Sequence, residues 1–94
     1  MTDQDKFGQV VLRIVEHQTK LIGPLAVDLA KKAGGIEFSS EKQVIIYGDP
    51  RKVLGNLVDQ YKTIFGDLSV QVSRRAVKTL TIEFSAGELP EVLN

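Results

Sequence analysis

The sequence predicts an α+β fold, mainly α, in which two tandem helix-turn-helix-strand repeats form a four-helix cluster with a small antiparallel sheet. Three observations carry this. Apolar residues recur at helical spacing in four segments. Gly23 and Gly66 divide those segments into two pairs. The second pair repeats the first 43 positions later, so that Val10 falls on Val53 and Gly23 on Gly66.

In the first helix Phe7, Val10, Val11, Ile14, Val15, Leu21 and Ile22 lie at i, i+3, i+4 and i+7 spacings, which describe one buried stripe. The helix should stop at Gly23-Pro24, because a residue before proline avoids helical dihedrals while proline suits the first turn of the next helix. The second helix places Leu25, Ala26, Leu29, Ala30 and Ala33 on one face. Lys31-Lys32 in its last turn and Gly34-Gly35 after it are a normal helix ending. Ile36-Glu37-Phe38 and Val44-Ile45-Ile46-Tyr47 are rich in β-formers and flank a polar Ser39-Ser40-Glu41-Lys42 turn, which predicts a hairpin.

Asp49 and Pro50 then have the chemistry of an N-cap and a first helical residue. The third helix follows, with Val53, Leu54, Leu57, Val58, Tyr61, Ile64 and Phe65 as its stripe. Gly66-Asp67 interrupts it. The fourth helix should run from Leu68 through Val72, Ala76 and Val77 towards Leu80. Thr79 to Phe84 alternate in strand fashion and predict a third strand, and residues 86–94 are expected as a flexible acidic tail.

The internal correspondence goes beyond shared periodicity. Val15 matches Val58, Leu25 matches Leu68, Val27 matches Val70 and Ala33 matches Ala76, while Lys31-Lys32 matches Arg74-Arg75. Ile36-Glu37-Phe38-Ser39 returns as Ile82-Glu83-Phe84-Ser85. A duplicated unit is therefore expected, the first repeat spanning about 7–39 and the second about 50–85. One amphipathic helix pair cannot bury its stripe alone, so two copies should pack about a pseudo-twofold axis.

The chain of 94 residues has the size of a single domain, 1–94, with one core. It contains no cysteine, which removes disulfides, zinc fingers, iron–sulfur clusters and thiol nucleophiles. No apolar run approaches the roughly 20 residues that a bilayer needs, and the first residues are polar, so neither a membrane span nor a secretory leader is expected and a cytoplasmic location is. Twelve basic residues balance twelve acidic ones. A protein built to neutralise nucleic-acid phosphates is usually strongly basic, so nucleic acid is disfavoured as a partner. Zero net charge also removes the self-repulsion that keeps small proteins apart.

Val27 and Val70 lie off the main helical stripes at matched positions and are candidates for a docking surface, although single exposed valines are common. Lys31, Lys32, Arg74 and Arg75 are candidates for anion binding, against the ordinary role of cations in a last helical turn. His17 is the only histidine, and its counterpart Gln60 has no acid–base chemistry. Glu37 and Glu83 would approach one another if the repeated strands paired, but they lack a metal-ligand or catalytic motif. Neither Gly34-Gly35 nor Gly48-Asp49-Pro50 has the spacing of a phosphate-binding loop. Leu29 to Gly34 has the look of the start of a DNA-reading helix-turn-helix, but strand-forming residues stand where the recognition helix belongs. No catalytic residue, metal site or cofactor is expected.

The segment Leu21-Ile22-Gly23-Pro24-Leu25-Ala26 resembles a short helical regulatory domain, with a Gly-Pro-aliphatic-Ala turn, found at the ends of bacterial and archaeal signalling proteins. The resemblance covers about a quarter of the chain, and the second copy departs from it with Asp67 for the proline and Ser69 for the alanine. It implies a regulatory or protein-interaction role and carries over no functional residue. The sequence thus leads to a small non-enzymatic interaction module that binds itself, as a homodimer, or a protein partner. Nucleic-acid or anion binding through the basic helix ends is the first alternative. A small-molecule sensor with a pocket between the repeats is the second.

Overall fold

Helical stripes and glycine turns produce the expected four helices. The computed structural model describes residues 3–40 and 42–93. Its elements are α1 (Asp3–Ile22), α2 (Leu25–Ala33), β1 (Ile36–Ser40), β2 (Gln43–Ile46), α3 (Pro50–Phe65), α4 (Asp67–Lys78) and a short 3₁₀ turn (Glu91–Leu93). The fold is α+β, mainly α, and its sheet is a two-stranded antiparallel hairpin. Asp49 caps α3 by accepting from the Arg51 backbone N–H, and Pro50 opens the helix.

The seam between the halves gathers Val10, Val11 and Ile14 of α1, Ala26, Leu29 and Ala30 of α2, Leu54, Leu57, Val58 and Tyr61 of α3 and Ala76 of α4 into one buried core. Two buried hydrogen bonds cross it. The Gln18 amide of α1 donates to the Ser69 carbonyl of α4 at 2.8 Å, and the Tyr61 hydroxyl of α3 donates to the Ala26 carbonyl of α2 at 2.6 Å. Residues 18 and 61, like 26 and 69, are counterparts at the offset of 43. The turns agree: Gly23 donates to Thr19 and Gly66 to Lys62, both at 2.8 Å, with φ of 72° and 74°. Glycine is suited to both places because other residues pay for the left-handed region.

Helix α4 is turned differently from the expectation. Its buried residues are Ser69, Val70, Ser73 and Ala76, whereas Leu68 is exposed and Val72 half-buried. The cause is Gln18, whose amide reaches both the Ser69 carbonyl and the Ser73 hydroxyl and so draws the small polar side of α4 inwards.

The hairpin lies against the first turns of α1. Strand pairing is in register Ile36 with Ile46 and Phe38 with Val44, and Tyr47 donates to the Gly35 carbonyl. That alternation turns the backbone groups of Ile46 away from β1, where the Gln4 side chain receives both: its amide donates to the Ile46 carbonyl at 3.0 Å and its carbonyl accepts the Ile46 N–H at 2.7 Å. The Val44 carbonyl comes so close to Gly8 that a Cβ there would stand 2.9 Å from it. The outer edge of β2 is therefore closed by α1.

Two expectations for the C-terminal part are corrected. Residues 80–85 form no strand. Both sides of β2 are already taken, one by β1 and the other by α1, and the chain instead lays Phe84 on Phe7 with centroids 5.7 Å apart and the Lys6 ammonium 4.9 Å above the Phe84 ring. Residues 86–93 are not a loose tail either. Leu89 and Leu93 are buried, Lys6 pairs with Glu88 at 2.6 Å, and Arg51 and Arg74 donate to the Leu89 and Val92 carbonyls.

Candidate functional site

The two cross-seam hydrogen bonds fix the place of both glycine turns. One joins the end of α1 to the start of α4, and the other joins the end of α3 to the start of α2, so all four helix ends meet at one pole of the molecule. Leu21 and Leu25 flank Gly23 there, and Ile64 and Leu68 flank Gly66. They are 46%, 43%, 52% and 59% exposed. These four, two matched pairs at the offset of 43, account for all but one of the large exposed hydrophobic side chains among the described residues; the other is Tyr47. Isolated exposed leucines need no explanation, whereas their concentration at one pole marks a surface suited to contact.

Grooves between the helices descend from this pole. Between α1 and α4, His17, Lys20 and Arg75 surround Leu21 and Val72. The matching groove between α3 and α2 is lined by Asn56, Asp59, Gln60 and Thr63 with Lys32 and Ala33, so of the first groove's basic side chains only the counterpart of Arg75, Lys32, remains, and Asp59 offsets it.

The docking pair read from the sequence divides. Val70 is only 7% exposed and belongs to the core, so it does not form a free surface; the rotation of α4 by Gln18 is the reason. Val27 is half-buried and lines a groove with Leu12, Val15 and Phe38. The basic residues do not gather into one patch. Lys31 and Lys32 are exposed at the end of α2, Arg74 is held by the Val92 carbonyl at 2.7 Å, and Arg75 turns to the groove beside His17 and Lys20.

His17 Nδ1 lies 3.0 Å from the Arg13 carbonyl one helical turn earlier. Glu37 and Glu83 are both exposed, and Glu37 accepts from the Tyr47 hydroxyl, a bond that raises the tyrosine's pKa above its usual value, with the negative charge of Glu37 adding to the effect. The Tyr61 hydroxyl is pushed up by burial alone. Among the described residues no three His, Asp or Glu side chains are grouped to hold a metal, and no helix is long and apolar enough to cross a membrane.

The aliphatic pole is not visible in the periodicity, because Leu21, Leu25, Ile64 and Leu68 fit the helical stripes that describe the core. The available signal was their position: each stands within two residues of a turn glycine, where a helix is ending and has little left to cover it. No known protein family, curated protein sequence or solved structure matches this chain.

Proposed function

We propose that the protein is a small, non-enzymatic, cytoplasmic interaction module that associates with a second copy of itself through the pole formed by the two glycine turns. The observation that carries this reading is the exposure of Leu21, Leu25, Ile64 and Leu68 at one end of the molecule. A second copy is favoured as the partner for two reasons. The exposed pair Leu21 and Leu25 recurs as Ile64 and Leu68 at the offset of 43, which offers matched patches to an identical surface, and zero net charge presents no long-range repulsion to overcome. The resemblance of residues 21–26 to regulatory domains of signalling proteins points the same way.

Sedimentation equilibrium from micromolar to millimolar protein, at low and high salt, tests it. The expected result is a dimer that persists in high salt, because burial of aliphatic surface is insensitive to screening. The Leu25→Ser/Leu68→Ser variant should weaken it about tenfold or more. A strict monomer at millimolar concentration would sink the reading.

Anion binding is the second reading, favoured by the acid-free lining of His17, Lys20 and Arg75. It requires inorganic phosphate or an oligonucleotide to bind with a strong salt dependence that Arg75→Ala removes.

A further inference from the structure

The two halves of the molecule treat equivalent grooves differently. In the second half the C-terminal segment covers Gly55 and Val70: Pro90 stands 3.7 Å from where a Cβ on Gly55 would lie, Val92 lines the groove beside Val70, and Arg51 and Arg74 hold the segment by its carbonyls. In the first half the residues at the matching positions, Leu12 and Val27, are half-buried and, with Val15, Glu16, Phe38 and Ser40, line a groove of about 430 Å³.

Phe38 and Ser40 of β1 line one wall of this groove. The register that turns Ile46 towards Gln4 turns the N–H and C=O groups of Ile36 and Phe38 the opposite way, and among the described residues nothing bonds them. The hairpin thus has one edge sealed by a glutamine side chain and one edge open above an apolar floor.

We propose that this groove is a strand-addition site, in which an extended peptide segment of another protein pairs with the outer edge of β1 and lays alternate aliphatic side chains on Leu12, Val15 and Val27. A strand added at the usual spacing of about 4.8 Å stands over those residues, and side chains with a period of two reach down to them on every second position. A second copy of β1 fits the edge poorly. Pairing about a twofold axis normal to the sheet brings the α1–α2 floor of each copy beneath the other's strand, where both would occupy the same space.

Charge sets one further feature of the peptide. Past Leu12 and Glu16 the groove continues between Gln9, Arg13 and Lys42. A carboxylate of the peptide belongs at that end beside Lys42 and Arg13, whose guanidinium also donates to the Thr79 hydroxyl, and away from Glu16, which lines both parts of the groove. The occupant is an extended segment of alternating aliphatic residues that carries an acidic group at one end. This surface is separate from the aliphatic pole and stands independently of self-association there.

The test uses the full chain and a synthetic peptide that alternates valine with threonine and ends in glutamate. Amide hydrogen exchange by NMR should slow at Ile36 and Phe38 when the peptide is added. A copy of the peptide N-methylated at the amides facing β1 should bind about tenfold more weakly, since it keeps the side chains and loses the backbone bonds. The Val27→Asp variant, altered at a half-buried position, should weaken binding by a similar factor while keeping the wild-type spectrum elsewhere. The proposal is overturned if the Ile36 and Phe38 amides stay unprotected at millimolar peptide, or if the methylated peptide binds as well as its parent. Protection that rises with protein concentration alone would also overturn it, by making a second copy the occupant.

Discussion

The Gln18 amide and the Tyr61 hydroxyl do the same work at corresponding places in the two halves, each donating across the seam to a carbonyl in the first turn of the other half's second helix. The donors differ chemically, one an amide and the other a phenol, yet the acceptors Ser69 and Ala26 are counterparts. This correspondence supports the reading of a duplicated unit. It also identifies the polar contacts that set how the halves lock. Both carbonyls sit within helices and retain their helical partners, so each crossing bond adds to stability without being the carbonyl's sole bond.

Removing the crossing bonds one at a time should therefore have graded effects. Tyr61→Phe keeps the ring and should cost about 1 kcal/mol, whereas Gln18→Ala also opens a void and should cost about 2 kcal/mol. Urea unfolding of the single and double variants measures both. A double variant that costs no more than Gln18→Ala alone would argue against two independent locks.

Val70 and Val27, matched in sequence, should respond in opposite ways to a charge. Val70→Asp places a carboxylate in the core and should cost about 3 kcal/mol or more. Val27→Asp lies at the groove and should cost less than about 1 kcal/mol. Thermal melts of the two proteins, compared at equal concentration, would expose an error in the placement of α4 if the order were reversed.

The C-terminal segment should behave as part of the core. Leu93→Ala removes a buried side chain 4% exposed and should cost about 2 kcal/mol. A chain ending at residue 85 should lose more, because it also uncovers Val70 and Gly55. An unchanged melting temperature in either protein would return residues 86–93 to the status of a tail.

The Lys6–Glu88 pair predicts a pH dependence with a definite sign. The hydrogen bond from Lys6, followed by that from the Ser85 N–H, holds the Glu88 carboxyl below its ordinary pKa. Its contribution is present in full above the unfolded value of about 4.3 and is lost as the pH falls through the lower folded value. The stability difference between wild type and Glu88→Gln should be largest near neutral pH and vanish in acid. Because both groups are partly exposed, salt should also shrink it. A difference that persisted at pH 2 would assign it to something other than charge.

Much of the architecture was legible in the sequence, and the failures have physical causes. The helices, their glycine turns, the hairpin and the Asp49 cap follow from periodicity and from backbone rules that act over a few residues. The face of α4 did not, because Ser69 and Ser73 are buried to meet Gln18 from another helix, and no periodic count of apolar residues registers that. The alternation of residues 79–84 had strand character, but Phe84 packs on Phe7 of α1, the helix that already closes the β2 edge, and not beside the open edge of β1. Leu89 and Leu93 stand at i, i+4, but a single such pair between Gly87 and the chain's last residue, interrupted by Pro90, makes no periodic stripe. The aliphatic pole was hidden for a related reason: a stripe of hydrophobic positions does not say where along a helix its neighbours run out.

Gln4 gives the sheet a valence of one. A hairpin with two open edges accepts a strand on each side and hands the growth on, which is how ordered fibres lengthen. Here a single amide side chain occupies the donor and acceptor of Ile46 and retires that edge from service. A strand can therefore join only at β1, and replacing Gln4 by a residue without an amide would leave the Ile46 N–H and C=O unpaired while the Gly8 backbone of α1 still stands against Val44.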